Sequence, residues 1–212
     1  MDKIRLQCTD ISKRYSGKVI FNNVSIDLYG NSSLVITGKN GSGKSTLLKV
    51  ISHLIRPDKG KIRLEINSCV IAVEKFYSHI GLFAPYLNLY DELTASENLD
   101  FFYDLKVETK SEKKDKIKSL LEKVGLYNRK DDLVRNYSSG MRQRLKLAYS
   151  VMNSPALLLM DEPRTNLDEQ GISVVYELAE EQKKRGILIL ATNEKEDTEL
   201  CSSRLCIEDF KK

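Results

Sequence analysis

Apolar and polar positions alternate with a period of about two along the first 37 residues. IRLQCTDI, KVIFNNVSIDL and SSLVIT predict strands, parted by the breaks Ser16-Gly17 and Gly30-Asn31. The period then lengthens. TLLKVISHLI, just after GKNGSGKS, spaces its apolar residues as a helix and stops before Pro57, and DKGK turns the chain into the strand IRLEI. LTASENLDFFYDL opens an amphipathic helix on a capping box from Thr94 to Glu97. Ser111 to Val124 predicts another helix with Gly125 to end it, and a third begins at 138. A strand ALLLM (156–160), a helix over 168–185, the strand ILILAT and a last strand near 203–208 follow. A helical middle between flanks that alternate strand and helix predicts a mostly parallel α/β core with a helical insertion. It is read as one domain, with 1–85 and 156–212 as core and β part and 86–155 as the helical part.

Composition changes this picture little. Across 212 residues, 41% hydrophobic and 30% charged content is ordinary for a globular chain. No apolar run approaches the ~18 residues that span a bilayer, and MDKIRLQCTD lacks the apolar stretch of a secretory signal. A cytoplasmic location is expected. The four cysteines form no CxxC pair and only two histidines exist, so reduced structural thiols are expected rather than a metal cluster. The net charge of +4 does not call for nucleic acid; KSEKKDKIK and KKR read as solvated helix faces, and no nucleic-acid partner is expected.

The chemistry starts at Gly38-Lys39-Asn40-Gly41-Ser42-Gly43-Lys44-Ser45, followed by Thr46, which fits G-x-x-x-x-G-K-[ST] in full. Glycines let successive backbone N–H groups face inward as an anion nest, and the helix that follows adds its positive end. Lys44 is placed to reach the β- and γ-phosphates, and the Ser45 hydroxyl to hold Mg²⁺. The strand before the loop and the amphipathic helix after it strengthen the reading. The chain is expected to bind a nucleoside triphosphate.

ALLLMDEP puts Asp161 and Glu162 at the end of an apolar strand that Pro163 stops. Such a pair also occurs as plain surface or cap chemistry. Beside a phosphate loop, Asp161 is a candidate for the Mg²⁺ shell and Glu162 for polarising a water in line with the γ-phosphate. YSSGMRQRLKLAYSVM starts a helix with Ser138, Ser139 and Gly140, and with Arg142 and Arg144 where acids are preferred. Ser138 could be an N-cap alone, or this helix start could take an anion such as a γ-phosphate, reached across a two-fold dimer. ILILATNEKE reads as a buried strand that breaks at Thr192-Asn193-Glu194, at the end where α/β proteins keep their chemistry.

In this order and spacing, GKNGSGKST, YSSGMRQR, DEP and RTNLDEQG resemble the ATP-binding cassette family over essentially the whole chain. The resemblance implies a P-loop NTPase (RecA-like) core with a mostly parallel sheet, an N-terminal antiparallel β subdomain and an inserted α-helical subdomain. It implies a head-to-tail dimer with a second cassette, identical or not, in which each ATP lies between one phosphate loop and the other subunit's Ser138–Gly140. Asn166, Leu167 and Asp168 would communicate across that dimer. Tyr15 would stack on adenine, a core tyrosine being the alternative. The partner would be an integral membrane permease, met at the cytoplasmic face, and the short length and YSSGM look most like export-type subunits, the haem-exporter-like group included. Tyr86–Leu93 (YLNLYDEL) could form the groove for that partner or pack inside the helical part.

Three departures stand out. Ser139 and Met141 replace a glycine and the glutamine of LSGGQ. No glutamine lies between Gln7 and Gln143, and Pro85 or Tyr86 holds the place of one that meets Mg²⁺ or the attacking water. Asn193 stands where the family has histidine; it can donate to a γ-phosphate but carries no charge, and one such contact is worth about 10²–10³ in rate. The expectation is a slow Mg-ATPase powering transport. The alternatives are a soluble cassette switching by dimerisation alone and, disfavoured by YSSGM and DEPRTNLD, a small-molecule kinase.

Overall fold

The computed structural model describes residues 2–106 and 112–211. Among the described residues, nine strands form two sheets. The first holds β1 (Ile4–Tyr15), β2 (Lys18–Tyr29), β4 (Lys59–Ile66) and the short β5 (Cys69–Val70), all antiparallel in the order β2-β1-β4-β5. The second holds β3 (Ser33–Thr37), β6 (Ile80–Phe83), β7 (Leu157–Asp161), β8 (Ile187–Ala191) and β9 (Ser203–Cys206), all parallel in the order β6-β7-β8-β3-β9. Both sheet types agree with the sequence expectation.

Every residue of β3, β6, β7 and β8 is buried, which explains their unbroken apolar runs: helices or the other sheet cover both faces. The strand period sorts side chains to two cores. Leu34, Ile36, Leu157, Leu159, Ile187 and Ile189 join the antiparallel sheet and helix α1 (Lys44–Ile51) in one cluster. Val35, Leu158, Met160, Leu188 and Leu190 face the other cluster. That second cluster is completed by α3 (Ala95–Lys106), α4 (Lys113–Lys123), α5 (Ser139–Val151) and α6 (Glu169–Arg185), with the single turns α2 (Phe76–His79) and α7 (Lys195–Thr198) elsewhere.

The expected helix signals are present. Thr94 and Glu97 form the capping box, Thr94 N–H donating to Glu97 Oε2 at 2.8 Å and Glu97 N–H to Thr94 Oγ1 at 3.1 Å. Gly125, at φ 68°, ends α4, and the predicted start at Ser111 lies outside the described residues. Among the ends that differ from expectation, two have a visible cause. α1 stops at Ile51 rather than running toward Pro57, because His53 turns left-handed (φ 58°) and the Ile55 N–H bonds back to the Lys49 carbonyl. The last strand stops at Cys206, where a 3₁₀ turn over Ile207–Phe210 buries Ile207 beside the loop after β3.

Candidate nucleotide site

The loop leaving β3 is shaped by its glycines. Gly38, Gly41 and Gly43 hold φ of 146°, 73° and 114°, conformations that side-chain-bearing residues rarely adopt. A Cβ at Gly38 would stand 2.7 Å from Ile207 Cγ2 and 2.8 Å from Ser42 Oγ; one at Gly43 would stand 2.6 Å from Ile20 Cγ2. The neighbours thus fix the loop from the start of β2 and from the turn after β9. Lys39 and Asn40 are exposed, Ser42 is buried with an unpartnered hydroxyl, and Ser45 and Thr46 are half-buried in the first turn of α1.

Lys44 is the centre of the arrangement. It is only 5% exposed, and its Nζ donates to the Gly38 carbonyl and to Asn193 Oδ1, both at 2.9 Å, while Glu162 Oε1 lies 3.2 Å away. Three strands supply these groups, because β7, β8 and β3 are neighbours and all present their carboxyl ends to one side. Residues 149 positions apart in sequence are brought together by register alone.

Asp161 ends β7 and Glu162 follows it in a left-handed turn, so the two side chains diverge. Asp161 is 2% exposed; the nearby Ser45 hydroxyl favours its ionised form, yet Oδ1 has no partner. Burial raises its pKa, with the Glu162 charge adding to the rise and Ser45, Lys44 and Lys49 opposing it. An orphaned carboxylate oxygen against a serine hydroxyl fits a divalent cation, whose charge would favour the ionised form. No cluster of three or more His, Cys, Asp or Glu side chains exists among the described residues, so phosphate oxygens and water would complete the shell. Glu162 sits at φ 46°, uncommon for a side-chain-bearing residue, held by its N–H bond to the Ala191 carbonyl at 2.8 Å.

Asn193 Nδ2 donates to Asn40 Oδ1, so one amide ties the turn after β8 both to the loop and to Lys44. That turn has a support the sequence pattern did not disclose. Asp197 is fully buried and accepts from Thr192 Oγ1 at 2.8 Å and Tyr176 OH at 3.2 Å, and Thr192 Oγ1 in turn accepts the Glu194 N–H at 3.0 Å. Asp197 lies on a helix of one turn and Tyr176 on α6, and no motif links them.

The remaining predicted residues lie apart from Lys44. Tyr15 is 45% exposed at the β1–β2 hairpin with Lys13 Nζ 5.4 Å from its ring centroid, so it is not a core tyrosine. Ser138 caps α5, accepting the Met141 N–H at 3.2 Å, and Ser138 and Ser139 are exposed. Gly140 faces the Asn166 carbonyl, which a Cβ would meet at 3.5 Å. Asn166 is left-handed (φ 60°), Leu167 packs on the second core, and Asp168 caps α6 through the Gly171 N–H. The arginines do not serve the helix start as the sequence suggested. Arg142 donates to the Arg135 and Tyr137 carbonyls and pairs with Asp91, and Arg144 donates to the Val124 carbonyl. YLNLYDEL divides between its two readings: Leu87 and Leu89 pack against the cores, whereas Tyr90 stays 49% exposed.

Set beside known proteins, residues 21–165 match the family model described as ABC transporter. The chain is 34% identical over 207 residues to the linearmycin resistance ATP-binding protein LnrL of Bacillus subtilis, spanning 96% of this chain but 66% of that protein's length. It is 29% identical over 192 residues to the cytochrome c biogenesis ATP-binding export protein CcmA of Haemophilus influenzae, spanning 91% and 90%. A solved structure of an ATP binding subunit of an ABC transporter superposes with a TM-score of 0.86 at 26% identity, covering 95% of this chain and 85% of that one.

Proposed function

The chain belongs to the ABC transporter family, as one of its ATP-binding cassettes, and we propose that it binds and hydrolyses Mg-ATP to power a membrane permease, slowly when by itself. The observation that carries this is the convergence of Glu162 and Asn193 on Lys44 Nζ, at 3.2 and 2.9 Å, beside the Ser45–Asp161 pair.

ATP enters with its phosphates on the N–H groups of 38–46, and Lys44 exchanges its protein acceptors for phosphate oxygens. Exchange frees Glu162 from the ammonium. It then accepts a proton as water oxygen bonds the γ-phosphorus and the bond to the β–γ bridging oxygen breaks, leaving ADP and phosphate. A divalent cation at Ser45 and Asp161 supplies charge neutralisation when bound. The Asn193 amide can turn its N–H₂ toward the γ-phosphate, with Thr192 and Asp197 holding the turn in place. It offers a dipole where an imidazolium would offer a charge. Asn193→His is therefore expected to raise kcat about tenfold, a part of the 10²–10³ that one charge-stabilising contact can supply. Phosphate release under saturating Mg-ATP measures it, and an unchanged or lower kcat would show that the asparagine does not limit the rate.

Ser138, Ser139 and Gly140 are exposed or half-buried at a helix start, Gly140 beside the Asn166 carbonyl, as suits a surface that meets a second cassette's nucleotide. Tyr15 is open for adenine. We expect Mg-ATP to drive dimerisation, and Gly140→Asp to abolish it by setting a carboxylate against the γ-phosphate, with nucleotide binding to the monomer retained. Mass from light scattering, with and without ATP, tests this; a dimer that survives the substitution overturns the head-to-tail arrangement.

Exposed Tyr90 stacks edge-on to exposed Phe101 at 5.2 Å, beside a hollow of about 470 Å³ lined by Asn88, Asp91, Arg142 and Lys146. An aromatic edge over a charged hollow suits the permease's cytoplasmic surface, where the cassette would lie peripherally. No helix among the described residues is long and apolar enough to cross a membrane itself.

A further inference from the structure

At the end of the parallel sheet opposite Lys44, the residues that lead into β6, β7 and β8 come together. Ile80, Leu157 and Ile187 are register neighbours there, so Ser78-His79, Asn153-Ser154 and Arg185 enter side by side. They line a hollow of about 180 Å³, with Asp2 on another wall. The walls are pinned. Asn153 Nδ2 donates to the Ser78 carbonyl at 2.6 Å, and the Ala156 N–H to the His79 carbonyl at 2.9 Å. Gln182 is fully buried and its Nε2 donates to the Pro155 and Ile187 carbonyls, which leaves Oε1 to accept Arg185 Nε at 3.2 Å.

The Arg185 fork is thereby anchored by one edge. Its terminal N–H groups carry no hydrogen bond among the described residues, although the side chain is half-buried. A second cation reaches the same wall: Lys116, from α4, donates through Nζ to Ser154 Oγ at 3.2 Å. It too is half-buried, and neither cation joins an ion pair among the described residues. The carboxylates nearby are engaged elsewhere, Glu181 by Lys123 and Asp2 Oδ1 by Asn67 Nδ2 at 2.7 Å, while Glu112 acts on Lys116 through its charge alone. Burial lowers the pKa of both cations, and the Arg185 charge lowers that of Lys116 further. Two half-buried positive charges that repel each other beside a polar hollow are short of one anion.

We propose that this hollow is a phosphate site, in which an oxyanion of the phosphate class, free or as the end group of a small ester, sits between the Arg185 fork and Lys116 with the Ser154 hydroxyl as a further donor. Planar N–H pairs meet phosphate oxygens two at a time, and a lysine adds a point charge. The site is separate from the loop at 38–46, because parallel strands hold the two at opposite ends, and it does not depend on the chemistry at Lys44.

The chain's two histidines give the test its own control. His79 lines the hollow, whereas His53 packs on Phe76 with ring centroids 4.4 Å apart. Proton resonances of both imidazoles are followed at neutral pH while potassium phosphate is added to the full chain. ATP saturates the loop at 38–46 with no divalent cation present, and potassium chloride at matched ionic strength is the blank. The His79 signals are expected to shift with half-saturation at about 1 mM, the range that two charge-assisted contacts support, while those of His53 stay. Arg185→Gln and Lys116→Gln should each raise that concentration about tenfold. Lys116 holds nothing but Ser154, so its variant decides the matter if Arg185→Gln disturbs the end of α6. Glycerol phosphate in place of phosphate separates the two sources: equal or tighter binding identifies an ester, and no binding identifies the free ion. Chloride moving His79 as far as phosphate does, both histidines moving together, or an unaltered response in both variants would overturn the site.

Discussion

Glu162→Gln should nearly stop ATP turnover, lowering kcat about 10³-fold, within the range for removing a general base. The amide keeps the size and can still hold a water, but cannot take its proton. The backbone should not respond, because the left-handed turn at Glu162 is held by its N–H bond to Ala191 and by Pro163 after it. Binding should move the other way. The Glu162 carboxylate stands 3.2 Å from Lys44 Nζ, and a phosphate bound by Lys44 competes with it. With glutamine there, the ammonium has one charge partner fewer, so ATP affinity should hold or rise and the ATP-bound dimer should accumulate. Phosphate release and light scattering on the same samples read both effects. Equal turnover by wild type and variant would remove Glu162 from the chemistry.

Gly81→Ala should be the most damaging single methyl in the scaffold. A Cβ there would lie 2.0 Å from the Ser150 carbonyl oxygen and 2.9 Å from both Leu158 Cδ1 and Pro155 Cγ. Ser150 is on α5 and Leu158 is the register partner on β7, so the helix that presents Ser138 would have to lift off the sheet. Overpacking of this kind costs about 3 kcal/mol, at the upper end of its usual range. For a chain this long that is roughly 6–12 °C in the thermal midpoint. Gly17→Asn is the control: Gly17 has φ 80°, which asparagine tolerates, and open space around it, so its midpoint should not move. A Gly81→Ala midpoint equal to wild type would mean that α5 and β6 are not in close contact in solution.

Most of the fold could be read from the chain because its period was clean where burial was one-sided or complete. The β1–β2 pair and the capping box at Thr94 became the elements that their patterns predict, and ALLLM and ILILAT became the strands Leu157–Asp161 and Ile187–Ala191, each within a residue of its expected ends. The stretch 67–79 could not be read in this way: a two-residue strand and one helical turn are too short to show a period, and Phe76 is held by His53, 4.4 Å away across the fold. The site followed the same division. Gly38–Thr46 is contiguous, so its glycines and lysine are legible together. Asp197 was not, since its partners Thr192 and Tyr176 come from the turn after β8 and from α6, and nothing in any local pattern joins them. Arg142 and Arg144 were misread for the same reason: their targets are carbonyls of residues 124, 135 and 137, visible only once the chain has folded back.

The ring of oxygens around Lys44 has a bearing on selectivity among the anions of a cell. An ammonium already bonded to Gly38, Asn193 and Glu162 gives a stray phosphate or sulfate ion almost nothing to gain, because one small anion must strip away those contacts alone. A triphosphate meets the backbone N–H groups of the loop at several points at once and so can open the ring. Discrimination for long polyanions over short ones is therefore built into the resting protein, before any base or sugar is recognised.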